Sequence, residues 1–246
     1  MGNLRDAPHP PSADPTLSCV ILQPSYIPWR GYFHQIHKAD VFVFLDDVPY
    51  DSRGWRNRNR IKTPGGERWL TIPTLHKGSQ ADLTPIRDIR IAWDRPWNRS
   101  HWETIRHAYG KAPHFRRYAD LVESFYLDRP ESLASYTIAT TIALSSELGI
   151  TGTRFLRSSD LPTSGAKTDR LVSILAHLGA THYITGPSAR GYLEEDKLAE
   201  RGIGLEYMTY DYPPYPQLHG IFSANVSILD LLFMMGEDAL SHIAPN

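Results

Sequence analysis

The sequence predicts an α/β protein of Rossmann-like type, a mostly parallel sheet flanked by helices with a helical insertion in the middle of the chain. Three observations carry this. The first forty-five residues read strand, loop, helix, strand, the usual route to two parallel strands. Three consecutive stretches in the middle place apolar residues at three- and four-residue spacing. Short apolar runs alternate with helical patterns through the last third, the rhythm of a doubly wound sheet.

Taken in order, residues 1–16 read as a disordered, Pro-rich leader, and 17–246 as a single domain. Residues 17–22 (Leu-Ser-Cys-Val-Ile-Leu) form a short apolar run closed by Gln23-Pro24, as for a buried strand meeting a loop. Residues 31–38 have the length of two helical turns, and 41–45 (Val-Phe-Val-Phe-Leu) repeat the strand pattern. Residues 68–75 and 86–91 read as further strands, with a hairpin hinged at Pro64-Gly65-Gly66 as an option for the first. Helices are expected over 96–109, 115–126 and 131–148, broken at Pro113 and Pro130. There follow strand 154–157, helix 167–178, strand 182–185, helix 193–201, strand 204–208 and helix 227–235. Pro213, Pro214 and Pro216 force the stretch 210–216 into extended loop.

A chain of 246 residues that is 41% hydrophobic can bury one large core. Lys+Arg 26 against Asp+Glu 27 leaves a net charge of -1, so nothing draws the whole molecule to nucleic acid, and an anionic ligand needs a local cluster of cations. The single cysteine, Cys19, excludes an internal disulfide and a thiolate metal site, which fits the cytoplasm. No run approaches the roughly 18 to 20 apolar residues of a spanning helix, so membrane insertion is not expected.

Chemistry-bearing residues gather where predicted strands end. The first is the loop 23–33, stiffened by Pro24 and Pro28, with Gly31 opening a helix whose free N–H groups favour an anion; a rigid connection with core aromatics is the plainer reading. Asp46-Asp47 close the second strand, where one acid can serve as a base or bind a divalent cation and the other cap a turn. Arg53, Arg56, Arg58, Arg60 and Lys62 then crowd one short stretch with Asn57 and Asn59. Guanidiniums at this density suit phosphate or carboxylate, although a solvated charged face has the same composition. His76 follows the third strand as a titrating group. The 186–190 turn offers backbone N–H groups, Ser188 and Arg190, and 215–220 mounts Gln217 and His219 on a stiff loop. P-loop, Gly-x-Ser-x-Gly, His-Glu-x-x-His and Cys-x-x-Cys motifs are all missing. Cys19 lies within an apolar strand, where a thiol is inert.

Several of these segments together resemble the WbqC-like protein family. They are Gln23-Pro24-x-Tyr26-x-Pro28-Trp29-x-Gly31-Tyr32-Phe33, Phe44-Leu45-Asp46-Asp47 and Arg53-Gly54-Trp55-x-Asn57-Arg58-Asn59-x-Ile61, joined later by Thr168-Asp169-Arg170-Leu171, Ser188-Ala189-Arg190-x-Tyr192-Leu193, Pro216-Gln217-Leu218-His219-Gly220 and Leu229-Asp230-Leu231-Leu232. The resemblance implies acyl or aminoacyl transfer to an amine, an amino sugar or a biosynthetic intermediate, in surface-polysaccharide or natural-product biosynthesis. The expected donor is a thioester on an acyl or peptidyl carrier protein or a coenzyme, so a pantetheine-linked donor is the one cofactor-like group.

On that reading His219 or Asp47 takes the amine proton, and Asn57, Asn59 and the 186–188 turn stabilise an oxyanion. Arg53, Arg58 and Arg190 hold phosphate or carboxylate, Tyr26, Trp29 and Trp55 line the acceptor pocket, and Gln23, Tyr32, His76, Ser188 and Gln217 complete the substrate-binding set. Two rivals stand beside it. The loop 23–33 between parallel strands is similar to the phosphate turn of HIGH-type nucleotidyltransferases, which use ATP and magnesium, although no His-x-x-His pair lies within that loop and the His34-Gln35-Ile36-His37 spacing follows it. A non-catalytic binding or scaffold subunit of a biosynthetic complex is the other.

Overall fold

The apolar runs at the start of the chain become the centre of the sheet. The computed structural model describes residues 16–75 and 83–244, so all but the last residue of the expected leader, and His76 with it, lie outside the described residues. In chain order the strands are β1 (Ser18–Leu22), β2 (Val41–Phe44), β3 (Arg58–Thr63), β4 (Gly66–Thr71), β5 (Arg154–Arg157), β6 (His182–Thr185) and β7 (Gly204–Tyr207). The helices are α1 (Arg30–Lys38), α2 (Trp97–Tyr109), α3 (Phe115–Ser124), α4 (Leu133–Glu147), α5 (Lys167–Leu178), α6 (Glu195–Ala199) and α7 (Ile228–Met235).

Five strands form a parallel sheet in the order β5-β2-β1-β6-β7, and β3 and β4 make a separate antiparallel hairpin. The β1–β2 register runs from Cys19↔Val41 to Leu22↔Phe44. Alternation along these strands divides the core in two, because successive side chains leave opposite faces. Cys19, Ile21, Val41 and Val43 pack with Leu171, Ile174 and Leu175 of α5 and Leu198 of α6. Val20, Phe42 and Phe44 face the other way, toward Phe33 and Ile36 of α1, Leu229 and Leu232 of α7, and the middle helices. All four residues of β2 are buried, as a parallel strand covered on both faces requires.

The middle insertion is the expected helical layer. In α4 the apolar pattern is interrupted by Thr137, Thr140, Thr141 and Ser145, all buried. Thr137 Oγ1 donates to Leu133 O at 2.9 Å, Thr140 Oγ1 to Tyr136 O at 3.1 Å and Ser145 Oγ to Thr141 O at 2.9 Å. Bonding back to the preceding turn lets Thr137, Thr140 and Ser145 enter an apolar layer without losing a partner, whereas Thr141 Oγ1 is buried with none.

Two expectations need correction. Residues 86–91 are not a strand but a 3-10 turn, Ile86–Asp88, followed by isolated bridges from Arg90 to Ser132 and from Ile91 to Thr74. The loop after β2 holds it there, with Arg87 N–H on Asp46 O at 2.8 Å and Ile86 N–H on Val48 O at 3.0 Å. The basic stretch 58–63, for which the sequence suggested anion binding or a solvated charged face and no strand, is a strand whose alternation is carried by Asn59 and Ile61 inside and Arg58 and Arg60 partly exposed. Its partner, Gly66–Thr71, closes the Pro64-Gly65 hairpin and ends before the expected residue 75. No described helix is long and apolar enough to cross a membrane.

Candidate functional site

From β1 the chain proceeds through α1 to β2 on one side, and from β6 through α6 to β7 on the other. The loops leaving the carboxyl ends of these neighbouring strands therefore part, and a crevice opens at the point where the winding reverses. A cavity of about 550 Å³ lies there. Leu22, Gln23 and Ser25 form the lip after β1, and Thr185, Gly186, Pro187 and Ser188 the lip after β6; Trp55, Arg56, Asn59 and Arg60 close it from the hairpin side.

The first lip is held in a costly conformation. Ile27 has φ 34°, a left-handed backbone for a buried β-branched residue, and such positions cost on the order of 1–3 kcal/mol unless the surroundings enforce them. Asn59 does so: its Nδ2 donates to Ile27 O at 2.7 Å and Tyr26 O at 3.2 Å, while its Oδ1 accepts the Arg60 N–H at 2.8 Å. Tyr32 OH donates to Gln23 O at 3.1 Å on the same lip. Trp29 packs so closely over α1 that a Cβ on Gly31 would lie 2.3 Å from its Cζ2. The indole thus occupies the first turn of α1, where the sequence led us to expect an anion on free N–H groups. Tyr210 meets Trp29 edge-on at 5.0 Å and extends this aromatic wall.

The cations of the cavity come from the hairpin. Arg56 makes no ion pair with any described residue, and its Nε is buried without a hydrogen-bond partner. Burial pulls its guanidinium below the usual arginine value, against the opposing pull of Tyr32 and Asp51. Arg60 pairs with Glu67 through Nη1 at 2.5 Å, its Nε is likewise buried without a partner, and its guanidinium sits 5.5 Å from the Trp55 ring centre. Trp55 in turn leans on Trp69 at 5.3 Å. No carboxylate and no imidazole lines this cavity among the described residues.

Of the residues singled out in the sequence, Gln23, Trp29, Tyr32, Trp55, Asn59 and Ser188 meet at the cavity. The others do not. Tyr26 is fully buried, its OH bonded to His101 Nδ1 at 2.9 Å and Tyr126 OH at 2.7 Å, because the strained turn at Ile27 directs it into the helical layer. Asn57 donates to Ile72 O at 2.9 Å within the hairpin. Arg53 is exposed on the turn before β3, Arg58 folds back onto Gly54 O and over Trp69, and Arg190 lies over Tyr207 at 3.9 Å.

Asp46 and Asp47 are absorbed by their neighbours. Asp46 accepts from Arg157 Nε at 2.8 Å and Ser159 Oγ at 3.0 Å, and Asp47 accepts from Ser158 Oγ at 2.6 Å and pairs with Arg170. They staple the loop after β2 to that after β5 and to α5, which leaves Asp47 no part at the cavity. Gln217 is a bracket, its Oε1 accepting from Lys62 Nζ at 3.0 Å and its Nε2 donating to Asp230 Oδ1 at 2.8 Å. His219 stands outside the cavity, beside Lys62. Among the described residues no group of three or more His, Cys, Asp or Glu is arranged to hold a metal ion. The residues missed include Arg56 and Arg60, hidden inside the basic run, and Tyr210; nothing in the run itself separates Arg56 and Arg60 from Arg58, which folds back instead.

The open parallel sheet, with a cationic, aromatic-walled cavity at its switch point, is an α/β architecture of the doubly wound class. The pattern described as the WbqC-like protein family matches residues 23–242, and the chain belongs to that family. It is 40% identical over 226 residues to a protein of Mycobacterium tuberculosis (strain ATCC 25618 / H37Rv) described as uncharacterized protein Rv1507c, a match spanning 91% of this chain and 96% of that protein. No solved structure matches.

Proposed function

We propose that the chain is a transferase that moves an acyl or aminoacyl group from a phosphate-bearing thioester donor to an amine, with the donor seated in the switch-point cavity. The observation that carries this reading is the Arg56 guanidinium in the cavity wall, in no ion pair with a described residue and with its Nε buried and unsatisfied. A half-buried guanidinium with an unsatisfied Nε is unfavourable, and a phosphate oxygen placed beside it, with Arg60 next to it, supplies charge-assisted hydrogen bonds. A phosphopantetheine arm, in coenzyme A or on a carrier protein, brings such a phosphate together with an extended chain suited to the Trp29, Trp55 and Tyr210 wall. At about 550 Å³ the cavity has the size of a small-molecule site. The acceptor is an amino sugar or another biosynthetic amine.

One observation favours a second reading. The strand order β5-β2-β1-β6-β7, with a loop and helix after the central strand, matches five of the six strands of the doubly wound dinucleotide-binding fold, so ATP with magnesium is the competing occupant. A thermal-shift comparison separates them. Stabilisation by coenzyme A thioesters, lost in Arg56→Met, supports acyl transfer; stabilisation by ATP with magnesium alone replaces it with nucleotidyl transfer.

A further inference from the structure

Beside the switch-point cavity lies a second, open one of about 520 Å³, walled by Lys62, Glu67, His219, Phe222 and Asn225. Asn225 lines both. Arg60 and Lys62 are two residues apart on β3, so they leave the same side of the strand roughly 7 Å from one another. Arg60 reaches the first cavity and Lys62 the second, which makes the two neighbours along one face of the hairpin.

The second cavity holds the proton acceptor that the first lacks. His219 Nε2 lies 2.7 Å from Ala108 O. A carbonyl only accepts, so Nε2 carries the proton and Nδ1 of the neutral ring keeps its lone pair. The backbone of His219 is left-handed, φ 65°, the kind of strained placement that persists where surrounding structure enforces it and that gathers at functional sites. Lys62 is only 3% exposed and donates to Gln217 Oε1 at 3.0 Å and Gly220 O at 3.3 Å. Its ammonium has three N–H groups, so one is left over. Glu67 accepts from Ser223 Oγ and from Arg60, tying the wall of one cavity to a cation of the other.

We propose that this second cavity is the acceptor site, taking a primary amine flanked by a hydroxyl, with His219 Nδ1 as the base. The proposal rests on the transfer reading above. The Lys62 charge favours the neutral, nucleophilic amine over its ammonium form, and its remaining N–H reaches the neighbouring hydroxyl. At the Asn225 partition the amine nitrogen bonds to the acyl carbon as the carbon–sulfur bond breaks. The proton released from nitrogen passes to His219 Nδ1 and then to the departing thiolate, so the products are an amide and a free thiol.

Nitrogen-15 NMR of the full-length protein tests this, with His219→Gln used to assign the ring signals. The proton is expected on Nε2, and D-glucosamine is expected to shift the His219 ring signals saturably, with D-glucose, which has the hydroxyls without the amine, at least tenfold weaker. A proton on Nδ1, an equal response to glucose, or a His219 ring unmoved by glucosamine overturns the proposal. Coenzyme A in a separate titration reads the donor site through the Trp55 indole N–H. If coenzyme A leaves Trp55 unmoved while glucosamine moves His219, it is the donor reading that fails and the amine site that stands.

Discussion

Replacing Arg56 by Met should stabilise the empty protein and at the same time weaken its response to ligand. The guanidinium is partly buried, its Nε has no partner, and no carboxylate pairs with it among the described residues. Leaving a buried polar group unsatisfied costs about 1–3 kcal/mol; with part of the side chain solvated we take the lower half, about 1–2 kcal/mol. Met keeps the length and apolar stem while removing the charge, so for a chain of this size the melting temperature should rise by about 2–8 °C. The ligand effect runs the other way. At a hundredfold excess over Kd, a ligand stabilises the parent protein by about 2.7 kcal/mol. Losing a charge-assisted hydrogen bond of about 1.5–3 kcal/mol weakens binding roughly ten- to a hundredfold, and the same ligand concentration then yields only about 0.4–1.4 kcal/mol. Differential scanning calorimetry of both proteins, with and without a coenzyme A thioester, reads both signs. A variant that melts lower when empty, or that keeps the full ligand response, would refute the argument that Arg56 is an uncompensated charge awaiting an anion.

Three further outcomes follow from the geometry. Gly31→Ala places a methyl group 2.3 Å from the Trp29 ring, so the indole must swing off α1; ligand affinity should fall while the far-ultraviolet dichroism is kept, and an unchanged affinity would show that Trp29 is not part of the site. Asn59→Ala removes both N–H groups that hold the Tyr26 and Ile27 carbonyls and should cost about 1–3 kcal/mol in urea unfolding; an unchanged unfolding midpoint would show that the lip is held without them. Burial holds the His101 imidazole down from 6.5 to about 4. The unfolded chain therefore binds a proton that the folded one refuses, and stability is full above pH 6.5 and lost as the pH falls through about 4, by roughly 3 kcal/mol at about 1.4 kcal/mol per unit. His101→Gln should flatten that slope, and equal slopes in urea titrations at pH 7 and pH 4.5 would exclude His101 as its source.

The sheet was legible because its strands obey the simplest pattern available. Residues 41–45 are apolar throughout and 17–22 in all but Ser18, and only a strand buried on both faces asks for that. The hairpin was harder, since Asn59 is buried to serve two carbonyls rather than for its own apolarity, and Arg60 reaches a cavity rather than open water. A residue chosen for hydrogen bonds to a distant loop leaves no period in its own segment. The same reason explains Asp46 and Asp47, whose partners Arg157, Ser158 and Arg170 lie more than a hundred positions away. Tyr26 and Trp29, neighbours in one loop, diverge because of a single positive φ at Ile27, which nothing in a β-branched side chain announces.

The central position of β1 sets a condition on synthesis. Its amide edge waits for a partner far downstream: Leu17 N–H is satisfied by Thr181 Oγ1, 164 residues later, and Cys19 and Val20 pair with Tyr183 and Ile184. Until the ribosome has passed Thr185, one side of the apolar β1 ribbon is an open template for other chains. Neither lip of the switch-point cavity has its opposite number at that stage. Occupancy of the cavity is thus a property that only finished chains can acquire, and a ligand present during translation favours the completed molecule over every shorter one.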